Sequence, residues 1–297
     1  MKVSSFLIVG LVRNCAQSVR SEVLRLEQAF AGAHNISWLF IESDSEDRTV
    51  EVLRELEKER SNFSYISLGS LRHKYPKRTE RIAFCRNQYL DFIANDPSCG
   101  EVDYVVVADL DNVNTRITAA GVKSCWKRGD WDVCCANQDG PYYDIWALRH
   151  PLWSPNDCWE QAKQLQALGL SRFKSIFVSV YARMVYIPTN SDWIEVDSAF
   201  GGLAIYRKSV LGSVSYNGLG QSGEEICEHV SLHKMIRSGS GKIFINPALI
   251  NAGVDEHARN ATTLGLLRFW LRCQVISLSD RLRLTSALRR IKNMFFA

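Results

Sequence analysis

Several familiar signatures are missing from this 297-residue sequence. No stretch approaches the ~20 apolar residues of a membrane-spanning helix, so no span is expected. The nine cysteines, from Cys15 to Cys273, are odd in number and irregular in spacing, and none forms a Cys-x-x-Cys pair. This argues against a zinc site or a disulfide framework and for reduced thiols packed as small hydrophobes. There is no internal repeat and no low-complexity tract. The segment Gly10-Leu11-Val12-Arg13-Asn14 holds a single glycine where a phosphate loop would hold several, which counts against a nucleotidyltransferase. The apolar N-terminal run is short, is closed by Arg13, and lacks a small-residue cleavage site. A buried first strand in a cytoplasmic protein is the expectation.

Net charge is also small, at +4. What excess there is sits at the C-terminus, where Arg259, Arg268, Arg272, Arg281, Arg283, Arg289, Arg290 and Lys292 face one acid, Asp280. The body is close to neutral, so no nucleic-acid partner is expected.

What is present is an alternation of apolar strands and amphipathic helices. Phe6 to Val12, Ile36 to Ile41, Phe63 to Leu68 and Tyr104 to Ala108 read as strands. Ser18 to Ala31, Arg48 to Arg60 and Arg78 to Ala94 read as the intervening helices. This rhythm predicts a mostly parallel sheet with helices on both faces, and such sheets bind ligands beyond the carboxyl ends of their strands. The second half is less regular. Trp131 to Asn137, Ala199 to Tyr206 and Lys242 to Ile245 are expected strands, and Gln161 to Phe173, Glu224 to Arg237 and the tail from Leu264 are expected helices.

The sharpest local signal is Asp109-Leu110-Asp111 directly after the strand Tyr104 to Ala108. Two hard oxygen donors at that spacing can hold Mg²⁺ or Mn²⁺ against a diphosphate. After the second strand comes the acidic loop Glu42 to Asp47, where Glu42 or Asp44 can accept hydrogen bonds from a base or ribose and another acid can cap the next helix. Arg86, beside Asn87, can grip a phosphate. Gly201-Gly202 permits close backbone approach to a ligand or, equally, a tight turn. In Ser222-Gly223-Glu224-Glu225-Ile226-Cys227-Glu228-His229, three acids and a histidine within six positions exceed what capping a helix requires. A glutamate there, Glu225 or else Glu224, can take a proton from an attacking hydroxyl. His229 and His233 are four apart, a candidate metal pair. His257 is a candidate to complete a metal shell with Asp109 and Asp111.

Taken in order, these segments resemble the GT-A class of glycosyltransferases, over roughly Val3 to His257. Within that class, Tyr142-Tyr143-Asp144 with Trp146 and Arg149, together with Cys227-Glu228-His229, is similar to fungal capsule-associated mannosyltransferases and their bacterial relatives. The resemblance implies a GT-A, Rossmann-like α/β fold over residues 1–257, with a nucleotide-binding half 1–115 and an acceptor half 116–257. The Asn246-Pro247 turn belongs to that second half. It implies hexosyl transfer from a GDP- or UDP-linked nucleotide sugar to a glycan or lipid-linked acceptor, with Mn²⁺ or Mg²⁺. Asp109 would serve the donor ribose or a metal-bound water, and Asp111 the metal. Glu224-Glu225 stands where many inverting members have Glu-Asp; a retaining reaction would need no base there. The basic helical tail, 258–297, combines Leu266, Leu267, Phe269, Trp270 and Leu271 with its arginines. It is expected either at an anionic membrane surface or packed on the domain. A membrane-surface binding protein without catalysis would explain that tail but not the acid clusters.

Overall fold

A computed structural model describes residues 4–253 and 263–281. The first half follows the expected rhythm closely: β1 (Ser5–Val12), α1 (Val19–Ala29), β2 (Asn35–Glu42), α2 (Thr49–Glu59), β3 (Phe63–Ser67), α3 (Arg78–Asn95) and β4 (Tyr104–Ala108). Then come α4 (Ala119–Ser124), β5 (Val133–Gln138), α5 (Cys158–Ala167), α6 (Arg172–Ser179), β6 (Ile194–Val196), β7 (Leu203–Arg207), α7 (Glu228–Ser238), β8 (Ile243–Ala252) and α8 (Thr263–Arg281).

All eight strands join one mixed sheet in the order β3-β2-β1-β4-β7-β5-β8-β6. Six run in one direction, while β7 and β6 are antiparallel to their neighbours. The period-two alternation of side chains builds a core on each face. Leu7, Val9, Val105 and Val107 pack with Ala83, Tyr89 and Leu90 of α3. Phe6, Ile8, Phe40 and Val106 pack with Val19, Val23 and Leu26 of α1 and Leu53 and Leu56 of α2. Burial on both sides is why these strands read as unbroken apolar runs.

Departures from the sequence expectations have local causes. The helix expected over Gln161 to Phe173 is two, because Gly169 adopts φ +96° between α5 and α6. β7 starts at Leu203 rather than Ala199, since Gly201 and Gly202 turn the chain at φ +73° and +85°. α7 starts at Glu228 rather than Glu224, because both preceding glutamates bond elsewhere. Asn246-Pro247 is no turn: it lies within β8, whose register against β5 shifts there. Proline cannot donate to a ladder, and the irregularity takes up that loss; Asn137 Nδ2 donates to the Pro247 carbonyl at 3.0 Å. On α8, Phe269 turns inward onto Phe173 and Tyr181, at ring distances of 5.5 and 5.1 Å. Among the described residues, no helix is long and apolar enough to cross a membrane.

Phe40 is fully buried and meets Trp38 and Phe63 edge-on. Phe40→Ala should therefore cost about 3–5 kcal/mol, read as a lower urea midpoint with the slope unchanged.

Candidate active site

Four loops meet at the carboxyl edge of the sheet, around the β1/β4 boundary where strand order reverses, the usual ligand position in such sheets. Between them lies a cleft of about 750 Å³. Arg13 enters it after β1, Ser43 after β2, Asp109 and Asp111 after β4, and Tyr143 and Asp144 after β5. The first half of α3 contributes Arg78, Arg81 and Arg86, and the start of α7 contributes Glu228 and His229.

At the floor sits Arg86. Its guanidinium donates from Nε to Glu228 Oε1 at 3.0 Å and from Nη2 to Asp109 Oδ1 at 3.5 Å. Phe200 and Tyr216 flank it, 5.4 and 5.6 Å from their ring centres. This one cation faces several carboxylates. Enclosure in the cleft floor raises the Asp109 carboxyl to about 7, helped by the nearby charges of Asp111, Asp144 and Glu228 and opposed by Arg86. Asp109's side chain is still 42% exposed, and that opening is into the cleft.

A buried polar network holds the Asp109–Asp111 loop. Asn114 donates to the Asp109 carbonyl at 2.7 Å and to Glu22 Oε2 at 2.6 Å. Asn251 donates to the Gly201 carbonyl at 2.9 Å, and the Asp109 amide donates to the Gly202 carbonyl at 2.9 Å. A Cβ on Gly201 would meet Gln138 at 2.7 Å, and one on Gly202 would meet the Tyr143 hydroxyl at 2.9 Å. Positive φ favours glycine at both positions, and at Gly201 the Ala136 carbonyl, 2.8 Å from such a Cβ, excludes a side chain as well.

Of the residues singled out in the sequence, Arg86, Asp109, Asp111, Gly202 and His229 line the cleft; Glu42, Asp44, Gly201, Glu224, Glu225 and His233 do not. Glu42 accepts from the Ser45 amide at 3.0 Å and from the Ser67 hydroxyl at 2.5 Å. Asp44 accepts from the amides of Leu71 and Arg72 and pairs with Arg81 at 3.4 Å. Both acids therefore shape the β2 and β3 loops. Gly201 donates its amide to Asp144 at 2.9 Å. Glu224 accepts from the Ser222 amide at 3.0 Å. Glu225 Oε1 accepts from the Thr79 amide at 3.0 Å, satisfying a free N–H in the first turn of α3. His257 lies outside the described residues.

The His229/His233 pair does not converge on a metal. His233 is held by the Ser198 and Tyr206 hydroxyls, each at 2.9 Å, and burial lowers its pKa to about 3. His229 stacks on Phe200 with ring centres 3.9 Å apart, and burial, with Arg86 next, keeps it neutral. Among the described residues, no three His, Cys, Asp or Glu side chains form a metal site by themselves.

Two cleft carboxylates were not assigned a role of their own from the sequence. Asp144 appeared only within the Tyr142-Tyr143-Asp144 resemblance, and the signal that finds it is its place just after a buried strand. Glu228 was counted among the three acids of its segment, but the base role was given to Glu224-Glu225.

The fold and site together define an α/β protein with a mixed sheet and an acidic cleft at its carboxyl edge. No family model and no curated protein matches the chain. Among solved structures, residues 1–349 of S. aureus TarS are similar over 84% of this chain and 60% of that one, with 10% identity and a TM-score of 0.45. The same protein in complex with UDP-GlcNAc gives 87% and 62%, 12% identity and 0.45. A mannosyltransferase from Pyrobaculum calidifontis, in complex with GDP-Man and Mn²⁺, gives 73% and 49%, 10% identity and 0.38. The chain thus spans less than two thirds of the length of each of these proteins.

Two outcomes follow from the geometry. Arg86→Met leaves the buried Glu228 carboxylate, and the partly exposed Asp109, without their cation and should destabilise the fold by about 3 kcal/mol, the low end for a buried pair, measured by urea unfolding. Arg86→Lys should recover only part of this, lacking the planar fork. Glu225 is held below the usual glutamate range first by the Thr79 amide. Its contribution is therefore present at neutral pH and lost as pH falls through that lowered value. Glu225→Ala should cost about 0.5–1 kcal/mol at neutral pH, the low end because the group is exposed, and progressively less as pH falls below the usual glutamate range.

Proposed function

We propose that this chain is a glycosyltransferase, moving a hexosyl group from a UDP- or GDP-linked donor to a glycan or lipid-linked acceptor. The observation that carries this reading is the Asp109–Asp111 pair. It opens from the end of β4 into a cleft wide enough for a nucleotide sugar, with the Asp109 carboxyl raised to about 7. A carboxyl so raised marks a place where added positive charge is favoured.

The donor set fits Mn²⁺ or Mg²⁺. Hard oxygens are available at Asp111 and Asp109, and among the described residues no third His, Cys, Asp or Glu side chain joins them in a metal cage, so substrate phosphates would supply further ligands. Asp111, exposed at the mouth, would be the principal ligand and Asp109 would act directly or through water. When bound, the cation would offset charge developing on the departing nucleoside diphosphate.

The chain's own groups divide the remaining work. Arg13, after β1, and Arg78, at the start of α3, line the cleft and would meet phosphate oxygens. Arg86 holds Asp109 and Glu228 in fixed relation. Gly202 lets the sugar approach the backbone. If the reaction inverts, Glu228 is better placed than Glu225 to take the acceptor proton, because Glu228 faces the cleft and Glu225 is engaged at α3. If it retains configuration, Glu228 serves as an electrostatic partner of Arg86 instead.

The deciding measurement is a thermal-shift screen of UDP, GDP and other nucleoside diphosphates, each with and without Mn²⁺. One nucleotide should stabilise the protein in a metal-dependent manner, and Asp111→Asn should remove the metal-dependent part. Where donor turnover is followed, Asp111→Asn should abolish it. For an inverting reaction, Glu228→Gln should lower it by a factor on the order of 10²–10⁴, with Glu225→Gln near wild type. Absence of any nucleotide response, or full activity in Asp111→Asn, would overturn the reading.

A further inference from the structure

A surface helix that docks on a domain is expected to bury its apolar stripe and show a polar one. α8 does otherwise. Its inward side is made by Gly265, Phe269 and Cys273, with Phe269 against Phe173 of α6 and against Tyr181. On the side away from these, Leu264, Leu267, Leu271, Val275 and Leu278 follow one another at spacings of three and four. They form a second apolar stripe, each residue between 49% and 62% exposed. A second stripe opposite the docked one has no purpose in packing α8 on its domain.

The neighbourhood of the stripe repeats the pattern. Of sixteen exposed large apolar side chains among the described residues, seven lie between Leu152 and Tyr186 and seven between Leu264 and Leu278. Four of the first group, Trp159, Leu168, Leu170 and Val178, lie on α5, on α6 or between them, and α8 packs against α6.

The charges beside the stripe choose among occupants. Between Leu264 and Ser279 the sequence has two charged residues, Arg268 and Arg272, and no acid. Both arginines are exposed. From Asp280 to Lys292 the sequence adds five cations against that single acid. A two-fold contact between copies through this stripe would set arginine against arginine. An anionic lipid surface satisfies both features: the leucines enter the headgroup–acyl boundary and the arginines meet phosphates.

We propose that the outward stripe of α8 lies in the interface of an anionic bilayer and holds the cleft beside it. Tyr181, which carries the inner side of α8, is itself part of the cleft wall, so the surface helix and the site share a residue. A lipid-linked acceptor then follows as the substrate class, and this last step rests on the glycosyltransferase reading above; the membrane contact does not.

The test is co-sedimentation of the full chain, without nucleotide, with vesicles of phosphatidylcholine alone or mixed with phosphatidylglycerol. Binding to the mixed vesicles should exceed that to neutral ones by roughly tenfold or more and fall with added salt. The triple substitution Leu267→Ser, Leu271→Ser, Val275→Ser should abolish it while leaving the Phe269 contact intact. Should that variant unfold, Arg268→Gln with Arg272→Gln gives a second reading, with an expected loss of roughly tenfold or more at low salt. The proposal is overturned if the intact chain ignores anionic vesicles at low salt, or if either folded variant binds as wild type does. It is equally overturned if the stripe instead drives a dimer, seen by sedimentation, that the triple substitution dissolves. Nucleotide thermal shifts, measured separately, tell failure of the membrane contact from failure of the catalytic reading.

Discussion

One enclosed cation, Arg86, sets the geometry of the whole cleft. It comes from α3, reaches Asp109 at the end of β4 and Glu228 at the start of α7, and is walled by Phe200 and Tyr216. Each of these belongs to a different segment of the chain. An arginine so placed stays charged at any working pH, because the surrounding carboxylates and enclosure leave no easier alternative than pairing. The acids can then sit near one another without forcing the loops apart, and the remaining negative charge is left facing the cleft. Electrostatics here determines packing, not the reverse.

Around that centre, polar groups normally found at a surface are buried to keep a loop rigid. Glu22, Asn114 and Asn251 are fully buried, and together they tie the Asp109–Asp111 loop to α1 and to the glycine pair. A loop tethered at its backbone carbonyls keeps its side chains free to point outward. This is how Asp109 and Asp111 can face the cleft while the peptide beneath them is fixed.

How far the sequence revealed this depends on the kind of interaction. Strands β1, β2 and β4 were legible because burial on both faces leaves unbroken apolar runs. The Asp109–Asp111 pair was legible because its meaning comes from its own neighbours and the strand before it. Glu42 and Asp44 looked equally suited to a ligand, yet their partners are Ser67, Leu71 and Arg81, distant residues that no local pattern announces. The same holds for Glu225, which resembles the opening of its own helix and instead completes the first turn of α3. The bulged passage of β8 through Pro247 and the splitting of a helix at Gly169 are set by tertiary packing that overrides local period.

The antiparallel strand β7 has a consequence for the order of events as the chain folds. β1, β2, β3 and β4 are synthesised in succession and can pair among themselves, leaving the outer edge of β4 open. β5 follows but does not take that edge; β7, made still later, inserts between them. The Asp109 amide finds its partner, the Gly202 carbonyl, only when β7 arrives. The acidic loop therefore acquires its final shape late in assembly. Until then the open edge of β4 is a place where a nascent chain can pair wrongly or with another copy. Docking of β7 covers the open edge of β4 and, together with this, brings the Gly202 carbonyl to the Asp109 amide, while β8 has still to join β5 and β6 and α7 has still to bring Glu228.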